Sequence, residues 1–370
     1  MKMLQQDNIG SHYRAAIYQL MDAELGCDFC FGDKVDDIKK MDYSLLSHNV
    51  MEVHNKQLGH GFYYQKGILK LLKSEYGHYI FVGETRCVST WLFCIIARLF
   101  YPRKKVYFWT HGWYGKESKI ESLLKKVFFR LPKGGCFLYG NHAKDIMVNK
   151  GFNPDKLYVI HNSLDYDAQL PIRQSLLPNR IYQDHFGNDN KNIVFIGRLT
   201  TVKRFDILLD AVAQLKERGK FMNVTFIGDG VERQNMEASV EEKGIKEQVW
   251  FYGACYDEKT NAELIYNADL CVSPGNIGLT AMHVLMFGCP AITNNDFSHQ
   301  MPEFEAIKEG KTGAFFTAGD SASLAETITR WFAEYGADRE RVRQNCYDEI
   351  DKEWNPHNQI KLIKDVINKN

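Results

Sequence analysis

Gly197, Arg198 and Lys203 stand close together in NIVFIGRLTTVKRFDILLDAV, residues 192–212. A glycine admits close approach of a ligand to backbone. Arg198 offers a planar fork of five donors suited to phosphate, and Lys203 offers a compact point charge. Both follow a buried apolar run and precede an amphipathic one, so they fall at a strand end beside a helix N-terminus, where an anion is favoured. Two readings stay open on these residues alone: an anion grip, or solvated loop charges. Two more glycine turns lie downstream. Gly228-Asp229-Gly230 follows NVTFI, and Pro274-Gly275-Asn276-Ile277-Gly278 precedes a short helical run from Leu279. Backbone amides of the second turn could cradle a diphosphate, or the turn is merely a tight connection. In the first half, His111 and Gly112 end the apolar run of KVYFWTHG, and Asn162 sits in HNSLD.

The elements that position these residues alternate in type. Short runs rich in Val, Ile, Phe and Tyr predict strands at 27–31, 50–55, 79–83, 105–110, 136–139 and 157–161. Helical patterns fall near 11–25, 62–75, 88–101, 117–131 and 142–151. The second half repeats the rhythm, with strands at 192–197, 223–228, 249–253, 270–273, 290–293 and 313–316. Its helices lie near 203–219, 231–243, 257–267, 279–287, 302–308, 321–335, 337–352 and 356–368. Alternation of this kind means parallel sheets covered by helices on both faces, with ligands at the carboxyl ends of the strands. The segment 169–191 is rich in Pro, Asn and Asp and lacks apolar periodicity, so it reads as a linker. The expectation is an α/β protein of two doubly wound, Rossmann-like domains, 1–180 and 181–370, facing a central cleft. The closing helices are expected to pack back toward the first domain.

The chain has 370 residues, and 46 Lys+Arg balance 46 Asp+Glu. The balance hides an asymmetry. Residues 1–185 carry 25 basic against 18 acidic side chains, a surplus of 7, and 186–370 carry 21 against 28. A basic half suits an anionic membrane surface, an anionic lipid or a polyanionic acceptor. Nucleic acid is not expected, because the basic residues are dispersed and no binding motif is present. Residues 116–135 place Ile120, Leu123, Leu124, Val127, Phe128 and Leu131 at helical spacing among lysines. Such a helix either lies on an anionic membrane or packs its apolar stripe on the first sheet. Cys27-x-x-Cys30 reads as structural thiols, since no second pair completes a zinc site. Asp165-Tyr166-Asp167 spells D-x-D without other hard-oxygen ligands nearby, so no metal is expected there. No signal peptide is visible. The longest apolar run, residues 91–97, is far shorter than the ~20 residues of a membrane span. The expected location is the cytoplasm or the inner face of the cytoplasmic membrane.

The order of the motifs resembles the C-terminal domain of the GT-B glycosyltransferases, nearest the retaining family-four group. That group's run of G-R-L…K…D, G-D-G, V-x-F-x-G, A-D, a glycine turn with G-L and G-x-P is matched in order. Here it reads Gly197-Arg198-Leu199…Lys203…Asp206, Gly228-Asp229-Gly230, Val249…Phe251…Gly253, Ala268-Asp269, Gly278-Leu279 and Gly288…Pro290. The pattern continues through Glu305…Gly313 and Gly319…Ala325, and THGWYG (110–115) and YVIHNSLD (158–165) match more loosely. The resemblance implies a nucleotide-sugar site of Gly197, Gly228, Asp229, Tyr252, Gly253, Asn276, Ile277, Gly278, Leu279 and Thr280. Arg198, Lys203 and His111 would be catalytic, and Gly112, Trp113 and Asn162 would face the acceptor or the cleft. His111 is otherwise a structural strand-end histidine. One departure stands out. The family carries two glutamates at the glycine turn and the next helix, facing donor sugar and ribose, and here Gly275 and His283 occupy those positions. His283 would then bond the ribose, or pack as a helix histidine, and the sugar-facing role would pass to backbone amides at Asn276–Gly278 or to Glu303 or Glu305.

The resemblance implies a retaining, metal-independent hexosyltransferase. Its donor would be a UDP- or GDP-linked sugar, its acceptor a glycan or lipid-linked sugar of surface polysaccharide, and no cofactor is expected. Two other readings share the architecture: a sugar-nucleotide 2-epimerase, and a non-catalytic nucleotide-sugar-binding subunit. A Rossmann dehydrogenase is disfavoured because no G-x-G-x-x-G follows an early strand.

Overall fold

The computed structural model describes residues 2–34 and 38–369. The chain divides into two compact units, one of residues 1–165 with 355–370 and one of 166–354.

In chain order, the first unit runs β1 (Met3–Asp7), α1 (Ala15–Leu25), β2 (Cys27–Gly32), β3 (Val50–Val53), β4 (Asn55–Gly59) and β5 (Phe62–Gln65). Then come β6 (His78–Val82), α2 (Val88–Phe100), β7 (Lys105–Thr110), α3 (Lys119–Phe128), β8 (Gly135–Leu138), α4 (Asn141–Asn149) and β9 (Leu157–Val159). Seven strands pair in parallel in the order β3-β2-β1-β6-β7-β8-β9. Alternation of side chains splits the core between the two faces. Leu4, Cys30, Phe81, Phe108 and Cys136 enter one buried cluster. Met3, Cys27, Phe29, Phe31, Ile80 and Phe137 enter the other. Cys27 and Cys30 therefore bury on opposite faces of one strand. The antiparallel β4–β5 hairpin stands outside this sheet.

The second unit runs α5 (Tyr166–Ser175), α6 (Ile181–Phe186), β10 (Lys191–Ile196), α7 (Phe205–Glu217), β11 (Met222–Ile227), α8 (Arg233–Glu242), β12 (Val249–Gly253) and α9 (Glu258–Asn267). It continues with β13 (Leu270–Ser273), α10 (Thr280–Met286), β14 (Ala291–Asn294), β15 (Gly313–Phe316), α11 (Ser321–Tyr335) and α12 (Arg339–Lys352). Its parallel sheet has the order β12-β11-β10-β13-β14-β15. Counted within the unit this is 3-2-1-4-5-6, the doubly wound order whose direction reverses between β10 and β13. The first unit reverses in the same way between β1 and β6.

Four expectations are corrected. The stretch 169–191 is no free linker: it carries most of α5, the whole of α6 and the start of β10. The division falls at 165/166, not 180/181. The last helix, α13 (Pro356–Lys369), packs back on the first unit as expected, with Ile360 and Ile363 in the cluster holding Ile17 and Met21 of α1, but it belongs to that unit and not to a domain of 181–370. A helix over 62–75 is replaced by β5 and a 3₁₀ turn at Ile68–Lys73, and 302–308 is likewise 3₁₀, at Pro302–Ala306.

Candidate active site

Each sheet reverses strand order at one place of its own, and most of the expected residues lie near one or other of these two points. In the second unit three strand ends lie side by side. The Gly197 amide donates to the Ile227 carbonyl at 3.0 Å, and the Gly228 amide to the Gly253 carbonyl at 2.8 Å. The Leu199 amide donates to the Asp229 carbonyl at 2.9 Å, stapling the 197–199 loop to the Gly-Asp-Gly turn. Gly228 is required by this approach: a Cβ there would lie 1.9 Å from the Gly197 carbonyl oxygen, at φ +151°. Gly228→Ala is expected to destabilise the fold by about 2 kcal/mol or more, the scale of overpacking against rigid neighbours. A denaturant midpoint equal to wild type would contradict it. The Asp229 carboxylate accepts from the Gly230 amide at 2.7 Å and shapes its own turn. Tyr252 packs against Trp250 at 5.1 Å between centroids.

Arg198 projects from the end of β10 into solvent. Its guanidinium has no hydrogen-bond or ion-pair partner among the described residues. Lys203 is placed differently from the expectation of a free anion grip. Its Nζ donates to the Asn276 carbonyl at 2.7 Å, to Asn276 Oδ1 at 3.1 Å and to the Ile277 carbonyl at 3.4 Å. The ammonium is a brace inside the glycine turn. Burial is the largest cause lowering its pKa, to about 8; Arg198 lowers it further, while Cys271 and Glu303 oppose the shift.

The turn itself is held from several sides. The Gly275 amide donates to the Lys203 carbonyl at 2.8 Å. Gln300 Oε1 accepts from the Ile277 amide at 2.9 Å, and its Nε2 donates to the Gly275 carbonyl at 3.1 Å. Asn294 Nδ2 donates to the Pro274 carbonyl at 2.8 Å. Thr280 Oγ1 donates to the Ile196 carbonyl at 2.9 Å, tying α10 to the end of β10. The amides of Asn276, Gly278 and Leu279 have no hydrogen-bond partner among the described residues, and Gly278 is buried. Buried amides are normally paired, so these are the turn's donors for a ligand. Gln300 and Asn294 carried no motif in the sequence, and only the contacts reveal them.

Of the two glutamates considered, Glu303 is buried and acts electrostatically on Lys203, while Glu305 is half-buried on the same 3₁₀ turn. His283 Nε2 lies 3.0 Å from Glu258 Oε1, which also accepts from Gln169 Nε2 at 2.6 Å. Glu258 of α9 was not foreseen. Its carboxyl is held below the usual range: burial is the largest influence and opposes the shift, and His283 and Gln169 outweigh it.

The first unit has its own pocket, about 360 Å³, at the carboxyl ends of β1, β6 and β7. Asp7, Asn8, Arg14, Glu84, His111, Tyr114 and Tyr139 are among its lining residues. Arg14 Nη1 bonds Asp7 Oδ2 at 2.7 Å, and its guanidinium lies 5.2 Å from the Trp109 ring centre. The His111 ring lies 4.7 Å from the Tyr139 ring, tilted 39° to it, and stacks on Tyr114 at 5.9 Å. Burial, then Arg14 and Lys125, lower its pKa to about 3, so its ring is neutral at ordinary pH. Nδ1 of that ring is buried without a hydrogen-bond partner. Gly112 also lines this pocket, and its φ of +67° turns the chain inward. Trp113 is consequently a core residue, 1% exposed between Phe129 and Phe152. It does not face the pocket; Tyr114 does. Asn162 accepts from the Ser163 amide at 3.0 Å and does not line the pocket.

Two doubly wound units, each with ligand-ready groups at its switch point, define the GT-B architecture. Residues 181–349 match the family of glycosyl transferases group 1. The whole chain superposes on Anabaena Alr3699/HepE, solved in complex with UDP, with a TM-score of 0.75 at 16% identity, covering 100% of both chains. The galactosyltransferase WaaB of the lipopolysaccharide outer core superposes equally well, with a TM-score of 0.75 at 15% identity, over 100% of this chain and 99% of that one. The chain is 29% identical over 166 residues to the putative glycosyltransferase EpsD of Bacillus subtilis, 44% of this chain and 41% of that protein. It is 23% identical over 200 residues to mannosylfructose-phosphate synthase of Agrobacterium fabrum, 51% and 42% respectively. The matches thus span about two fifths of the length of these curated relatives.

Proposed function

We propose that this protein is a retaining glycosyltransferase that moves a sugar from a nucleoside diphosphate to a glycan or lipid-linked hydroxyl in surface polysaccharide assembly. The observation that carries the reading is the free Arg198 guanidinium beside a buried glycine turn with unspent amides, at the switch point of the second sheet. UDP is the first donor nucleotide to try, because HepE was solved with it.

In the reaction, the bond from the sugar's anomeric carbon to the diphosphate oxygen breaks and one to the acceptor oxygen forms. The acceptor proton passes to the departing diphosphate, so no separate base is needed. Charge grows on the diphosphate as it leaves. Arg198 and the amides of Gly278 and Leu279 stabilise that charge, and Lys203 adds a positive charge from behind the turn. The pocket of the first unit suits an acceptor sugar. Asp7 and Glu84 accept from hydroxyls, and Trp109, Tyr114 and Tyr139 offer ring faces. His111, held neutral, bonds a hydroxyl rather than carrying a proton.

The test measures UDP release from UDP-sugars with and without oligosaccharide acceptors, in EDTA. Acceptor-dependent release that survives EDTA is expected. Conversion of the sugar nucleotide to its 2-epimer without acceptor, binding with no turnover, or strict dependence on added Mg²⁺ or Mn²⁺ would each overturn part of this reading.

A further inference from the structure

Helices α2 and α3 follow neighbouring strands and pack side by side. Trp91 meets Phe128 at 4.8 Å between ring centres, and Arg98 Nη1 donates to the Arg130 carbonyl at 3.2 Å. Each buries one face in the first unit's core, through Phe93, Cys94 and Ala97 of α2 and Phe128 of α3. Their other faces carry large apolar side chains into solvent. On α2, Leu92 and Ile95 are exposed, Leu99 is 67% exposed and Phe100 72%. On α3, Ile120 is 75% exposed and Leu123 64%, with Leu124 and Val127 also exposed. The spacings i, i+3, i+7 and i+8 on α2, and i, i+3, i+4 and i+7 on α3, place each set on one side of its helix. The apolar stripe of α3 therefore does not pack on the sheet. Monomeric proteins rarely leave a contiguous apolar surface of this kind uncovered, and such a surface marks an interaction site.

Charge decides what covers it. Between residues 91 and 131 the exposed charged side chains are Arg98, Arg103, Lys116, Lys119 and Arg130, against Glu121 alone. The nearby Glu117 is already paired with Lys125 at 2.7 Å. Apolar side chains rimmed by cations match an anionic lipid surface, where the chains enter the acyl boundary and the cations meet headgroups. Among the described residues no helix is long and apolar enough to cross a membrane, so attachment would be peripheral. We infer that the α2–α3 face docks the protein on an anionic bilayer, with Leu99, Phe100, Ile120 and Leu123 inserting and Arg103 and Lys119 reading the headgroup charge.

Co-sedimentation of the full chain with vesicles tests this. The protein is expected to pellet with mixed phosphatidylcholine–phosphatidylglycerol vesicles, to stay in solution with phosphatidylcholine alone, and to be released by raised salt. Leu99→Glu with Leu123→Glu should lower vesicle affinity at least about tenfold. Arg103→Gln with Lys119→Gln should lower it about tenfold or more at low salt, on the scale of one anionic-surface contact per cation. Both pairs sit on exposed surface, and an unchanged melting temperature and UDP response would show the fold retained. Three results would overturn the inference: no binding to anionic vesicles, equal binding to phosphatidylcholine alone, or concentration-dependent self-association abolished by the Leu99→Glu, Leu123→Glu pair.

Discussion

Arg198→Ala is expected to lower kcat/KM for sugar transfer by about 10²–10³-fold, the range for removing one donor aimed at developing oxyanion charge. The melting temperature should hardly change, because the side chain is exposed and supports no neighbour; exposed substitutions of this type usually stay within about 0.5 kcal/mol. The loss should fall more on kcat than on donor affinity, since the diphosphate gains its extra charge only as the bond breaks. Arg198→Lys keeps a charge but loses the planar fork that can engage two phosphate oxygens. It should recover only part of the rate. Steady-state kinetics beside a thermal melt of each variant decides the matter. Wild-type kcat/KM in Arg198→Ala would remove the diphosphate from this loop.

Much of the second unit was legible from the residues, and the reason is physical. Parallel strands buried on both faces read as continuous apolar runs, and NIVFI and NVTFI announce themselves; VWFYG, the half-buried edge strand, is legible from its aromatic and β-branched residues. The loops after them carry the glycines that close backbone approach demands. The first unit hid its most informative strand. β1 is MLQQD, with Gln5, Gln6 and Asp7 fully or almost fully buried at the sheet's centre. No apolar period marks it, because most of the strand is polar, and Gln6 and Asp7 find partners outside it. Gln6 Nε2 donates to Gln65 Oε1 at 2.6 Å, and Asp7 holds Arg14 and Tyr18. With β1 overlooked, Asp7, Asn8 and Arg14 of the first pocket were overlooked too. Pro171 lies inside α5 and Pro178 just beyond it, so a helical segment read as a linker. Trp113 misled for a local reason: the left-handed turn at Gly112 reverses which neighbour points inward.

Lys203→Ala is expected to reduce transfer by at least about 10²-fold and, unlike the loss of Arg198, to loosen the structure. Removing the ammonium leaves the Ile277 carbonyl without its donor and the Asn276 carbonyl with only the Ser273 hydroxyl at 3.3 Å. Unsatisfied buried acceptors cost about 1–3 kcal/mol, so the denaturant midpoint should fall together with activity. Lys203→Met keeps the apolar stem and removes only the donors; it should reproduce the loss and so separate bonding from packing. Lys203→Arg should fail as well, because a wide planar fork does not fit a cradle built around one nitrogen at 2.7 Å from a carbonyl. The lowered pKa adds a signature that a purely structural brace lacks. The free protein's Lys203 gives up its proton near pH 8. A bound diphosphate favours the charged form, so above that pH binding must take up a proton. UDP affinity should therefore fall as pH rises past about 8, by up to about tenfold per unit, and the Lys203→Met variant should lose that slope. Calorimetric titration of UDP across pH 7 to 10 reads both. A flat profile in the wild type would show that the lysine braces the turn without sensing the diphosphate, and the anion would then rest on Arg198 and the turn's amides alone.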